Sequence, residues 1–253
     1  MSTHTDDTSS AKGSVPDSDD SRVLLHCCCA PCTQVPLASL QDEGWQVSLY
    51  FYNPNIHPAE EYAKRLCTLR EYAEANAVPL ALGPYDPQTW EETVGIHGGP
   101  YPIIEGASDA PAMRAARTAR CRACYQLRFE ALAAHAEATA CHGLDTTLTI
   151  SPYQCTREAQ SALAQCAESL GLTALATDWR SFYAEATRRS RVLGMYRQNY
   201  CGCHYSEQEA RLEKQARKRA RQAAQQAGLS LSPLQTEGEG PDCGENRHGT
   251  GRA

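Results

Sequence analysis

The segment Arg22-Val23-Leu24-Leu25-His26, running straight into Cys27-Cys28-Cys29-Ala30-Pro31-Cys32, decides the reading of this chain. A short apolar run that ends on a cysteine cluster has the pattern of a buried strand feeding a loop. Working outward, Pro31 to Glu43 has helical spacing and stops at Gly44, and Gln46 to Tyr52 is a second strand closed by Asn53-Pro54-Asn55. Ala59 to Asn76 is a charged, helix-forming segment, and Val78 to Leu82 a third strand. Strand, helix, strand, helix, strand is the order of a parallel α/β sheet. The expected fold class is α/β, a three-layer core around a parallel sheet. Its cysteine loops should converge at the carboxyl ends of the strands, where such sheets place ligands.

Further along, Gly95 to Pro111 is rich in Gly and Pro and is expected as a loop. Ala112 to His142 is helical in pattern and carries Cys121 and Cys124; Asp145 to Ile150, rich in β-branched residues, is expected as a strand. Arg157 to Leu170 is a helix, Arg188 to Asn199 a helix leading into Cys201-Gly202-Cys203, and Glu207 to Ala227 a long basic helix.

At 253 residues and 42 % hydrophobic, the chain can bury one domain's core or at most two. No apolar run approaches the roughly 18 residues of a membrane span, and Met1 to Ser21 lacks the apolar stretch of a secretory signal. These features imply a cytoplasmic protein with no membrane partner. The net charge of −6 lies in the ends. Residues 1–21 carry five aspartates against Lys12, a net of −4; residues 235–253 carry four acids against Arg247 and Arg252, a net of −2. The rest is neutral. Three parts are expected: a disordered acidic extension over 1–21, an α/β domain over 22–228 that holds every cysteine but Cys243, and a disordered tail over 229–253.

Thirteen cysteines are many for a chain without an export signal, and clustered cytosolic cysteines bind metal or do redox chemistry. The CxxC of Cys121 and Cys124 suits zinc, iron–sulfur and thioredoxin-like sites alike. The adjacent pair Cys28-Cys29 tilts the balance: neighbouring side chains are expected to diverge, which suits the separate irons of a cluster better than one zinc ion. Cys201-Gly202-Cys203 can close a small strained disulfide, because glycine permits the bend; free thiols or extra metal ligands are the alternatives. Cys67, Cys141, Cys155 and Cys166 are expected as small buried hydrophobes.

The blocks LLHCCCAPC (24–32), FYNPNIHPAEEYAKR (51–65), CRACYQLR (121–128), TTLTISPYQ (146–154) and YRQNYCGCHYS (196–206) together resemble the cobalamin-independent epoxyqueuosine reductases, in the family's order and across most of residues 22–210. The resemblance implies a HUP-like core with added helices carrying the cysteine motifs. It implies two-electron removal of the epoxide oxygen of epoxyqueuosine at the tRNA wobble position, giving queuosine. It places the ligands of a [4Fe–4S] cluster on Cys28, Cys29, Cys121 and Cys124, and a redox-active disulfide on Cys201 and Cys203. Cys32 is a candidate for contact with a second metal, an additional iron ion. The implied partners are tRNA carrying epoxyqueuosine and an electron donor.

For a polyanionic partner the candidate cations are Arg114, Arg117, Arg120, Arg122 and Arg128, then Arg188, Arg189, Arg191 and Arg197. The final helix adds Arg211, Lys214, Arg217, Lys218, Arg219 and Arg221. Tyr125, Tyr153, His204 and Tyr205 are candidate proton donors, each as readily a structural hydrogen-bonding residue. The competing readings are a non-catalytic cysteine-rich zinc or cluster module and an ATP-using tRNA thiolase. The thiolase needs a Gly/Ser-rich phosphate loop where HCCCAPC stands.

Overall fold

The computed structural model describes residues 21–99 and 111–226. Five strands form one parallel sheet: β1 (Arg22–His26), β2 (Gln46–Phe51), β3 (Leu80–Leu82), β4 (Gly143–Thr146) and β5 (Thr173–Ala174), in the order β3-β2-β1-β4-β5. Period-two alternation sends side chains to two cores. Val23, Leu25, Val47, Leu49 and Phe51 meet α1 (Ala30–Asp42), α2 (Ala59–Ala75) and α6 (Tyr183–Val192) on one face. Leu24, Tyr50 and Leu144 meet α4 (Pro111–Ala138) and α5 (Thr156–Ser169) on the other. This is the three-layer α/β core expected, completed by α3 (Pro87–Thr93) and α7 (His204–Gln226). No helix among the described residues is long and apolar enough to cross a membrane.

Four local expectations need correction. Asp145 to Ile150 is not one strand: β4 ends at Thr146, whose hydroxyl accepts from Leu148 N at 3.2 Å and turns Thr147–Ile150 into a 3-10 helix. The strand stops there because its partner β1 stops too, with His26 opposite Thr146. The helix expected over Arg188 to Asn199 is α6, which starts at Tyr183 and ends at Val192. Gly194 (φ 61°) closes it as Gly194 N reaches Arg191 O at 3.1 Å and Met195 N reaches Ser190 O at 3.0 Å, a glycine-based C-terminal cap. α3 was not expected, although Asp86 caps it through Thr89 N at 3.0 Å and Pro87 opens it. Of the expected loop 95–111, Gly95–His97 is a 3-10 turn and Pro111 opens α4; residues 100–110 lie outside the described residues, as do the two tails beyond Ser21 and Gln226.

Asp145 ties β4 to the segment before α6. It is fully buried, and its Oδ1 accepts from Thr146 N at 2.8 Å and Thr177 N at 3.3 Å, while Oδ2 accepts from Trp179 Nε1 at 3.2 Å. Burial pushes its carboxyl up to about 7, against the pull of those three donors. A folded pKa above the unfolded one means that the native state keeps a proton the unfolded chain has released. Asp145 thus makes stability fall as pH rises from about 4 to about 7. His26, which burial lowers to about 3, acts in the opposite sense, losing stability as pH falls below about 6.5. The two partly cancel, so the difference between wild type and Asp145→Asn isolates the carboxylate. In urea unfolding, that difference should change by on the order of a few kcal/mol between pH 4 and pH 7 and stay level above pH 8.

Candidate active site

The chain leaves β1 on one side toward β2, and β4 lies on its other side, so a crevice opens at the carboxyl ends of β1 and β4. The cysteine loop enters it. Cys28 N donates to Thr147 Oγ1 at 3.3 Å, and that hydroxyl lies 3.7 Å from Cys28 Sγ. Cys29 is the extended N-cap of α1 (φ −176°, ψ 160°), with its carbonyl accepting from the Thr33 hydroxyl at 2.8 Å. The sulfurs of Cys28, Cys29 and Cys32 all lie within 4.8 Å of one another, and Cys28 and Cys29 Sγ are 3.7 Å apart. The adjacent sulfurs therefore converge. Side chains alternate along a regular strand, but here the chain is turning from loop into helix. The spacing also matches the roughly 3.8 Å between sulfurs around a tetrahedral zinc with bonds of about 2.3 Å, so divergence of the pair no longer argues against zinc.

Cys27 points to the opposite core. Its thiol donates to Leu25 O at 3.3 Å, and burial raises its pKa, so it stays a neutral packing group. His26 is equally structural, its ring bridging Thr146 Oγ1 and Tyr52 O at 3.2 Å each. Of the cysteines expected as buried hydrophobes, Cys141, Cys155 and Cys166 are buried. Cys67 is exposed on α2, where its thiol donates to Glu71 at 3.3 Å.

α4 brings Cys121 and Cys124 to the same region. Cys121 packs against the apolar group containing Cys28 and Cys29, whereas Cys124 packs with Cys203, Trp90 and Tyr205. Neither joins the tight sulfur trio. Cys124 Sγ accepts from Trp90 Nε1 at 3.4 Å. Burial pushes Cys121 up to about 12 and Cys203 up to about 11.

The loop carrying Cys201 and Cys203 is clamped from below. Arg65 is 1 % exposed on α2; its Nε donates to Glu61 at 2.7 Å, its Nη1 to Cys201 O at 2.8 Å and its Nη2 to Tyr200 O at 3.1 Å. His57 N donates to Gly202 O at 2.8 Å. Gly202 has φ 142°, and a Cβ there would sit 2.8 Å from Asn55 Nδ2, so only glycine fits between the two cysteines. Gln154 Nε2 donates to Cys201 Sγ at 3.1 Å, while its Oε1 accepts from the Tyr125 hydroxyl at 2.7 Å. Both Cys201 and Cys203 are free thiols in this structure.

One sulfur of the trio, that of Cys28, is favoured as an anion. Cys28 is held well below the ordinary thiol range by hydrogen bonds from Cys29 and Cys32, with Arg128 and Arg65 adding to the effect; Cys29 and Cys32 are correspondingly raised. Arg128, 1 % exposed, donates to Asn53 Oδ1 at 2.6 Å and lies 3.9 Å from Cys124 Sγ. It has no carboxylate partner among the described residues. Arg120, 2 % exposed, pairs with Glu209 at 3.1 Å and covers the Tyr205 ring at 4.3 Å. Arg120 and Arg128 therefore cannot lie on an RNA-facing surface as the sequence suggested, because burial turns them toward the cysteines. Among the proton-donor candidates, Tyr125 and Tyr205 hydroxyls are committed to Gln154 and to Gly95 O. His204 meets Glu91 at 2.9 Å, and Tyr153 is exposed.

Enzymes that carry cysteine clusters at the switch point of a parallel α/β sheet form the class to which fold and site point. The family described as epoxyqueuosine reductase QueH matches residues 23–209, and the chain belongs to it. Among proteins named epoxyqueuosine reductase QueH, that of Dehalococcoides mccartyi is 32 % identical over 189 residues, covering 74 % of this chain and 93 % of the relative. The Histophilus somni relative is 30 % identical over 73 % of this chain and 72 % of its own length, and the Thermotoga maritima relative 30 % over 75 % and 92 %.

Sequence reasoning gave no role to Arg65, Asn53, Trp90, Gln154 or Gln198, the last donating to Cys29 Sγ at 2.7 Å. Glu61 and Arg65 stand at i, i+4 and have the pattern of a surface ion pair; only their burial (7 % and 1 % exposed) shows otherwise. Arg65→Lys keeps the charge but loses the fork that holds two carbonyls and Glu61 together. Alkylation of Cys201 followed by mass spectrometry should become several-fold faster in that variant, with the far-UV circular dichroism unchanged.

Proposed function

We propose that this protein, an oxidoreductase by its family, reduces epoxyqueuosine to queuosine in tRNA, using Cys201 and Cys203 as a redox-active pair beside an iron–sulfur centre. The observation that carries the reading is Arg128, a buried guanidinium that has thiols and no carboxylate for company among the described residues. An uncompensated buried cation is costly, and an anionic thiolate–metal group beside it would supply the missing charge. The donor set fits such a group. Cys28, Cys29, Cys121 and Cys124 would hold a [4Fe–4S] cluster, with Cys32 toward an additional iron. Bound there, it would supply one-electron transfer and Lewis acidity toward an oxygen.

The remaining steps belong to the chain. Opening the epoxide to an alkene consumes two electrons and two protons and releases water. Cys201 and Cys203, oxidised from dithiol to disulfide, lose two electrons and two protons, so the two half-reactions balance. An external reductant of the thiol or reduced-flavin class must then restore the dithiol. Gln154 donates to the Cys201 sulfur, and Gly202 supplies the backbone bend between the two cysteines that a disulfide between them would need. A cytoplasmic setting, where thiols are kept reduced, suits this cycle. Residues 22–228 would form the catalytic unit.

Anaerobically purified protein should contain iron and acid-labile sulfide, and incubation of epoxyqueuosine-containing tRNA with reduced protein should yield queuosine by nucleoside mass analysis. Zinc alone, which the 3.7 Å sulfur spacing also suits, together with unchanged epoxyqueuosine, would favour the non-catalytic module. Cys201→Ser should abolish turnover while leaving bound iron within about a tenth of wild type; loss of iron would make Cys201 a ligand instead.

A further inference from the structure

Helix α7 changes character along its length. Its base is fixed: the buried Tyr205 donates to Gly95 O at 3.0 Å, Glu209 pairs with Arg120, and Leu212 packs against the group containing Trp90 and Val94. From Glu213 onward the side chains are exposed apart from Ala224. The acids Glu207, Glu209 and Glu213 all precede Lys214; beyond them come Lys214, Arg217, Lys218, Arg219 and Arg221 with no acid up to the helix end at Gln226.

Two of the helix's cations answer its own acids, Arg211 with Glu207 at 3.3 Å and Arg217 with Glu213. Lys214, Lys218 and Arg221 form no ion pair with any described residue. Their spacing, i, i+4 and i+7, sets all three on one side of the helix. Stabilising the helix dipole does not account for them, because that effect is confined to the last turn and the last turn holds no basic residue. Solubility needs charge, but not one sign along one side. The stripe also lies beyond residues 23–209, the part matched by the family.

We propose that this stripe is a phosphate-binding arm that grips the RNA stem flanking the reacting nucleoside. The inference rests on the tRNA reading above and assigns it a surface. α7 begins immediately after Cys203, so the helix stands next to an RNA whose reacting base sits at the cysteines. At a rise of about 1.5 Å per residue, the stripe stands roughly 15 to 26 Å along the axis from His204. It is too far to touch the base and well placed to meet phosphates several nucleotides away. Three cations with no ion pair among the described residues, set beside a polyanion, give the charge complementarity that the acidic helix base, with three glutamates against Arg211, does not.

The test uses full-length protein carrying Lys214→Gln, Lys218→Gln and Arg221→Gln together, with Arg70→Gln, on the exposed side of α2, as the control. Anisotropy of a labelled anticodon stem-loop RNA is followed against salt. The triple variant should lose roughly two to three units of the log affinity versus log salt slope, while the control keeps wild-type behaviour. In turnover, KM for tRNA should rise about tenfold or more with kcat unchanged. Wild-type turnover combined with an unaltered slope and KM in the triple variant would overturn the arm alone. Loss of poly-aspartate binding with RNA binding intact would assign the stripe to an acidic protein segment and would overturn it too. Wild type that neither binds the stem-loop nor turns over tRNA would overturn the tRNA reading, and the arm with it.

Discussion

A guanidinium carried into the interior on a long helix, with no carboxylate to meet it among the described residues, sets the terms for the rest of this molecule. Arg128 is 1 % exposed and touches Asn53 Oδ1 at 2.6 Å and Cys124 Sγ at 3.9 Å. Asn53 in turn donates to Cys27 O at 2.9 Å, so one asparagine links the arginine to the cysteine loop itself. Bringing such a cation out of water is tolerable only where negative charge is close. The nearby sulfurs are the candidates, and Cys28 is the one most favoured as thiolate. Loop geometry, helix placement and sulfur ionisation are therefore one problem with one solution.

Arg65 repeats the principle on the other flank. It has a carboxylate in Glu61, yet two of its donors serve the carbonyls of Tyr200 and Cys201. Glu61 also accepts from the Tyr196 hydroxyl, so the pair is knitted to the segment before the Cys201 loop at three points. Its charge also favours anionic Cys28. The two arginines therefore orient separate parts: Arg128 serves the loop after β1 and the CxxC on α4, and Arg65 serves the Cys201–Cys203 loop. A change in charge on the sulfurs would be felt by both, which gives a physical route for coupling the two cysteine sets.

The parallel sheet was legible because RVLLH and QVSLYF are mostly apolar runs between turn signals, and burial on both faces of a parallel sheet asks for nothing subtler. The cysteine motifs were legible as chemistry, since clustered thiols have few other uses in such a chain. What stayed hidden depends on three-dimensional burial. Arg120 and Arg128 have the sequence pattern of helix-face charges, and nothing in a helical repeat says which arginine faces sulfur. The convergence of Cys28 and Cys29 depends on the backbone bend at Cys28, ahead of the extended Cys29, a conformation that residue types alone do not set. Gly194 and Asp86-Pro87 did carry readable signals, a helix stop and a helix start, and were passed over in favour of longer hydrophobic patterns.

Buried and exposed cations also divide the work. Inside, arginines are few and fixed by two or more hydrogen bonds each: Arg128 reaches a sulfur, Arg65 the carbonyls of Tyr200 and Cys201, and Arg120 the carboxylate of Glu209 and the Gly98 carbonyl. Outside, most basic residues with resolved partners answer a neighbour on their own helix, as Arg188 and Arg189 answer Glu185 at 2.7 Å. Such local pairs cancel at a distance and attract no polyanion. A neutral body can therefore present positive potential only where cations outnumber their local acids, and α7 beyond Glu213 is such a place. Screening limits that field to about 8 Å at physiological salt, so it acts on what lies against the helix rather than on what approaches the cysteines. On the proposed function, substrate capture and substrate reduction fall at opposite ends of one helix, whose base adjoins Cys203 and whose tip carries the charge.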